Sequence, residues 1–446
     1  MNRINSLVCI SLFLASSAVG AIGQGRFTLE EKTKVVAYWN SPGRYTVGLP
    51  ADAGKSGIWQ VRLTADASVW LGKYQRALGA NQLPPTQDTS GAVKGSPMDW
   101  DKWVKAKIDY DRQLASQRAN RLNGKPEVDV SINSGISPAI PHPGPAPETL
   151  VAAAGNPPVF ATVVAPQLHS ILFEDNESLE YVDNVPMRPR FAYYRFPQGV
   201  MSVGTNLRDM PSDIVKGLFA DAGFNESEQR VAASVSKLEG GFDSVNTYDT
   251  GYVSVGFIQF ACLEAGRGSL GEVLSNERKT DPMAFDNDFR KFGMDISEDG
   301  SLVVVDPSTG VELAGRSAAL KIIDDKRLIA VFQRAGRHSK EFRTAQIRVA
   351  RAHYWPTEDS LNILVGDKSI VGKVADVIKS EAGVATLYDR KVNRGTLDPL
   401  PTVVAKIMKD HNLNTLAEAA QYEREIVSAM KYRTDFLNDT SLSQPK

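Results

Sequence analysis

Glu239-Gly-Gly-Phe-Asp243-Ser-Val-Asn246-Thr-Tyr248-Asp249-Thr250-Gly251-Tyr-Val-Ser-Val-Gly256-Phe-Ile-Gln259-Phe260 is the stretch on which the reading of this chain turns. A helix runs into it. Asn225, with Glu228 three residues later, has the spacing of a capping box, and Gly240-Gly241 supplies the residues that end a helix. Within 226–239, Val231, Val235 and Leu238 share one face, and Glu239 falls at the edge of that stripe in the last turn. Partial burial and the negative end of the helix dipole both raise the pKa of a carboxyl placed there. A carboxylic acid held protonated near neutral pH can give its proton to a leaving oxygen. Beyond the glycines the sequence alternates, so Val253, Val255, Phe257 and Gln259 are expected on one face of a strand or hairpin. Gly256 would allow close approach of a ligand to the backbone.

Outward from this stretch, 211–435 reads as mostly helical. The helix candidates are 211–222, 226–239, 262–278, 281–292, 316–335, 341–355, 369–382, 399–411 and 415–432. Gly293 to Ala314 interrupts them with alternation around a hairpin turn, Asp306-Pro-Ser-Thr-Gly310. The expected fold class is α+β: a predominantly helical domain with a small β-hairpin sheet, preceded by a Pro-rich linker and a separate N-terminal region. Residues 124–158 are that linker, with eight prolines from Lys125 to Pro158, a composition that extends rather than packs. Residues 159–210 read as a β-rich strap or connecting segment, and 436–446 as a flexible tail. Residues 27–123 have no assigned role. They hold Trp39, Trp59, Trp70, Trp100 and Trp103, which read either as stacking platforms for sugar rings or as core pieces, the packing reading being preferred.

Residues 1–21 read as a signal peptide: Arg3, an apolar run from Leu7 to Leu14, and a small-residue cleavage site at Val19-Gly20-Ala21. A secreted or periplasmic location follows, with no integral membrane segment after cleavage. Cys9 would leave with the signal, so Cys262 is alone and reads as a small buried hydrophobe. Lys+Arg 51 against Asp+Glu 52 gives a net charge of −1 and argues against nucleic acid as a partner. The five histidines are scattered, and no metal-ligand spacing or phosphate loop occurs; no metal or cofactor is expected.

The run Glu239-Gly…Tyr248-Asp249-Thr250-Gly-Tyr…Gly256 resembles the catalytic helix-to-hairpin segment of phage-type lysozymes, with the gap from Glu239 to Asp249 one residue longer. Gly256-Phe-Ile-Gln259 is similar to the Gly-x-x-Gln of goose-type lysozymes and lytic transglycosylases. Leu387-Tyr-Asp389-Arg-Lys-Val-Asn393-Arg-Gly395 is similar to a late segment of chitosanases. The resemblance covers about 205–435. It implies a lysozyme-like fold acting on a β-1,4-linked amino-sugar polymer, most readily peptidoglycan, by hydrolysis or by lytic transglycosylase chemistry. Glu239 would be the general acid and Asp249 its partner, with Asp243 the second candidate. Thr250, Gln259, Tyr248 and Asn246 would line the glycan site. The alternatives are a chitosanase- or chitinase-like enzyme, and a catalytically silent glycan-binding or wall-associated protein of the same fold.

Overall fold

A computed structural model describes residues 25–80, 97–124, 141–183, 195–432 and 435–446; the side chains at 56, 79–80, 97–98 and 238–239 fall outside the description. The expected signal peptide, Cys9 and much of the Pro-rich linker therefore lie outside the described residues. The chain is α+β, about half helical with several small antiparallel sheets.

Two apolar cores organise it. The larger gathers residues from Phe27 to Leu442, and the smaller is built from Leu63 to Phe160 with Tyr248 added from far along the chain. The 27–123 region divides between them. The helix Leu29–Trp39 packs into the large core, whereas Leu63, Trp70, Trp100 and Trp103 belong to the small one. Trp39, Trp70, Trp100 and Trp103 are all buried, so these four are packing residues. Part of the Pro-rich linker also packs, since Leu150 of the short helix Glu148–Ala154 lies in the small core. The strap at 159–210 ties both cores together. Ala161–Val164 pairs with Gln60–Leu63, and Leu168–Leu172 lies between Tyr45–Gly48 and Ser178–Val182.

In the large core the helix Glu226–Glu239 packs on Glu381–Arg394, and Ser269–Thr280 packs on Lys340–Tyr354. Several sequence expectations need correction. The span 316–335 is two helices, Arg316–Asp324 and Lys326–His338, because Asp325 turns extended and caps the second by accepting from Arg327 N. Residues 369–382 are not one helix. Lys368–Lys373 is a strand paired with Ser360–Val365 across Gly366-Asp367, and the next long helix starts only at Glu381. Glycine first in a two-residue loop is a hairpin signature, and Gly366 has φ +60°. The Asp306–Gly310 turn forms as expected: Gly310 N donates to Asp306 O at 2.9 Å, joining Leu302–Val305 to Glu312–Ala314.

Candidate functional site

The helix leading to Glu239 is capped as its sequence dictates. Asn225 Oδ1 accepts from Glu228 N at 3.0 Å, and Glu228 Oε2 accepts from Asn225 N at 2.9 Å. Val231 and Val235 are buried, and Ala232 completes their face. Gly240, at φ +127°, ends the helix and donates to Ser236 O. Gly241 N then donates to Val203 O at 2.9 Å; a Cβ on Gly241 would sit 1.9 Å from Thr205 O. Glycine is thus required where the helix end meets the 203–205 strand exit. The Glu239 backbone occupies the last helical position, and its side chain lies outside the described residues.

A four-stranded antiparallel sheet follows, in the order Met201–Ser202, Val245–Asn246, Ser254–Val255, Phe260–Ala261. Each strand is two residues long, so the extended face expected from Val253 to Gln259 does not form. Instead Gly256-Phe-Ile-Gln259 closes as a turn, with Gln259 N donating to Gly256 O at 2.9 Å and Gln259 at φ +56°. The Gln259 amide points inward: Nε2 donates to Ser244 Oγ at 2.6 Å and to Gly256 O at 3.2 Å. The reason for Gly256 also differs from expectation. A Cβ there would lie 2.2 Å from Gln346 Oε1, so the residue makes room for a buried side chain rather than for a ligand.

Between the first pair of inner strands sits the loop carrying Asn246, Tyr248, Asp249 and Thr250. Asn246 Oδ1 accepts from Tyr248 N at 3.1 Å, and its Nδ2 donates to Asp249 Oδ2 at 2.8 Å. Asp249 Oδ1 accepts from Gly251 N at 2.8 Å. This is a local Asx arrangement that fixes the loop backbone. Burial pushes the Asp249 carboxyl up from its ordinary pKa, while the Gly251 N–H, Asn246 and the Arg195 charge pull it back. Arg195 is anchored by donating to Ser68 Oγ at 2.9 Å, which ties the loop to the small-core side. Thr250 is exposed. Tyr248 is not a cleft lining: it is 7% exposed, with its ring in the small core.

Asp243 proves to be a buried carboxylate, accepting from Thr205 N at 2.7 Å and Arg337 Nε at 3.0 Å. The resemblance offers it as a second candidate for the partner carboxylate, and nothing near it in sequence points to the arginine. Sequence reasoning missed Ser244, whose hydroxyl donates to Gly256 O at 2.7 Å, and Gln346. Gln346 Oε1 accepts from Phe257 N at 3.2 Å and its Nε2 donates to Phe242 O at 3.0 Å, so one amide clamps both sides of the segment. A signal existed: Gln346 shares the apolar face of Phe342, Ala345 and Val349, where an uncharged polar group must find partners.

The remaining candidates are structural. Cys262 is buried, and burial pushes its thiol up to about 12, as suits an inert packing residue. Asp389, within the late segment, is fully buried and accepts from Tyr432 Oη at 2.7 Å. Three arginines of the Lys340–Tyr354 helix bind backbone: Arg343 reaches Gly336 O, Arg348 Asp221 O and Arg351 Gly223 O. Trp355 packs edge-on against Phe224 and Tyr388. Among the described residues no group of three or more His, Cys, Asp or Glu is placed to hold a metal ion, and no helix is long and apolar enough to cross a membrane.

No family model, curated protein or solved structure matches the chain.

Proposed function

We propose that the protein is an exported glycoside hydrolase that cleaves a β-1,4-linked amino-sugar polymer, most readily peptidoglycan, with Glu239 as general acid. One observation carries this reading: the helix that ends in Glu239 stops at Gly240 and is followed within a few residues by a small antiparallel sheet and the Asp249 loop. A carboxyl on the last turn of a helix meets the negative end of the dipole, which favours its protonated form. Such an acid protonates the glycosidic oxygen as the bond breaks. Asp249, raised by burial, is a stronger base than an ordinary aspartate and can take the proton of an attacking water. The distance between the two carboxyls decides between inversion and retention, and without a second carboxylate the substrate's own N-acetyl group assists.

The test is clearing of purified walls by wild type and by Glu239→Gln, with mass spectrometry of the products. Activity in wild type that disappears in the variant supports the reading, and the masses separate hydrolysis from anhydro-sugar formation. Chitosan and chitin as parallel substrates decide the polymer. Equal absence of activity in both proteins on all three substrates sinks it.

A second reading, a catalytically silent glycan-binding or wall-associated protein, has its own support. The Gln259 amide and both Asp249 oxygens are engaged in local hydrogen bonds. Wall binding without cleavage, unaffected by Glu239→Gln, is its expected signature.

A further inference from the structure

Residues 436–446 read as a flexible tail in the sequence, but in the structure they are docked. Phe436 and Leu442 are buried and belong to the large core. One amide closes the segment on itself: Gln444 Nε2 donates to Phe436 O at 3.1 Å, to Asp439 O at 2.8 Å and to Leu442 O at 3.3 Å. Arg424 Nη2 holds Pro445 O at 3.1 Å.

The segment docks on the helix that ends in Glu239. Asp439 Oδ2 accepts from Ser234 Oγ at 2.9 Å and from Lys237 Nζ at 3.3 Å, both within the last two turns of that helix. Its Oδ1 accepts from Ser441 Oγ at 2.6 Å and Ser441 N at 2.9 Å. The Ser441 bonds first, then Ser234 and Lys237, hold the Asp439 carboxyl well below the usual carboxylate range, so it stays charged. At the other end of the helix, Ser227 Oγ and Arg230 Nε donate to Glu381 Oε1 at 2.6 and 2.9 Å, while Glu381 Oε2 accepts from Ser443 N at 2.8 Å. Asp439 and Ser443 thus tie the segment to both ends of one helix.

A helix end is where backbone order is lost first, because its last carbonyls have no intrahelical donors. An acid placed there needs its turn fixed from outside. Lys237 lies two residues before Glu239, about 200° round the helix axis, so Asp439 grips the last turn on the far side from position 239. Phe436 and Leu442 supply burial, and the Asp439 bonds supply direction, since a charged acceptor with fixed donors is met in one register. Given the reading of Glu239 as general acid, on which this rests, we propose that residues 436–446 are a clasp that holds this helix end in the geometry for proton transfer, with Asp439 as a positioning residue for Glu239. Displacement of a reacting group by about 1 Å can lower a rate about 100-fold, which is what the clasp prevents.

Backbone hydrogen exchange and steady-state kinetics on wall fragments, with wild type, Asp439→Ala and Asp439→Asn in the full chain, test this. Asp439→Ala should speed exchange at the amides of 237–240 at least about tenfold and leave the Ser269–Thr280 helix unchanged. It should lower kcat about 10–100-fold with KM kept within about twofold. Asp439→Asn, which retains an acceptor for Ser234, should recover part of both. Unchanged exchange at 237–240, or a raised KM with kcat kept, overturns the proposal. If wild type cleaves nothing, it is the Glu239 reading that fails, and exchange alone then decides whether the clasp exists. If Asp439→Ala does not fold, Asp439→Asn against wild type carries both measurements.

Discussion

Arg337 holds Asp243 at 3.0 Å through its Nε, joining residues 94 positions apart at the point where the Glu226–Glu239 helix gives way to the sheet. The carboxylate is 2% exposed, and it also accepts from the Thr205 backbone N–H at 2.7 Å and hydroxyl at 3.4 Å. Arg337 itself reaches on to Glu177 at 2.7 Å, so the same guanidinium also pins the strap. Removing it strands a buried charge. Arg337→Ala should cost about 3 kcal/mol, at the low end for a broken buried pair because the arginine is partly exposed. Urea unfolding checks the value, and Asp243→Asn combined with Arg337→Met should recover part of it.

The raised pKa of Asp249 makes a prediction with a definite sign. Its folded value lies above the unfolded one, so the folded state holds the proton more tightly. Stability is fully present below the unfolded pKa and falls as pH rises through the folded pKa. Asp249→Asn removes that loss. The variant should melt higher than wild type at pH 7 and equal to it at about pH 3, as scanning calorimetry would read. Under the glycosidase proposal the same variant loses wall-clearing activity while gaining stability.

Gly256 is held at φ +89°, and the position of a Cβ is taken by Gln346 Oε1. Gln346 is fully buried and bonded at both ends, so it has nowhere to retreat. Gly256→Ala should cost about 2–4 kcal/mol from backbone strain and overpacking together. Denaturant midpoints with an unchanged slope would show it.

Tyr248 separates a packing role from a ligand role. With its ring in the small core, Tyr248→Ala should lower stability by about 3–5 kcal/mol, as other large-to-small aromatic truncations do. A residue that only stacked on sugar would weaken binding and leave the unfolding midpoint in place.

Local chemistry was readable in the sequence, and distant chemistry was not. The Asn225–Glu228 box, the glycine stop at Gly240 and the Asp306–Gly310 turn all depend on residues within five positions, and all appear as expected. The α+β class follows from the same local patterns. The fate of the Gln259 amide depends on Ser244, 15 residues away, and on a left-handed backbone that alternation does not reveal. Tyr248 reads as a loop residue until its partners from Leu63 to Phe160 are known. The 368–373 strand is not legible because a short β-branched run fits both periods, and only the pairing with Ser360–Val365 decides. Asp243 needed an arginine from another helix before its burial made sense.

Trp39 gives the molecule a clock. Its indole N–H donates to Phe292 O at 3.0 Å, and its ring lies edge-on to Phe173, so the Leu29–Trp39 helix is covered by residues far behind it in the chain. The indole's acceptor is 253 residues further on. At about 5–20 residues per second of synthesis, that partner is made roughly 10–50 s after the tryptophan. Until then the helix face is covered only in part, by earlier residues such as Phe173. Segments of this kind, exposed before their partners exist, are what holding chaperones grip.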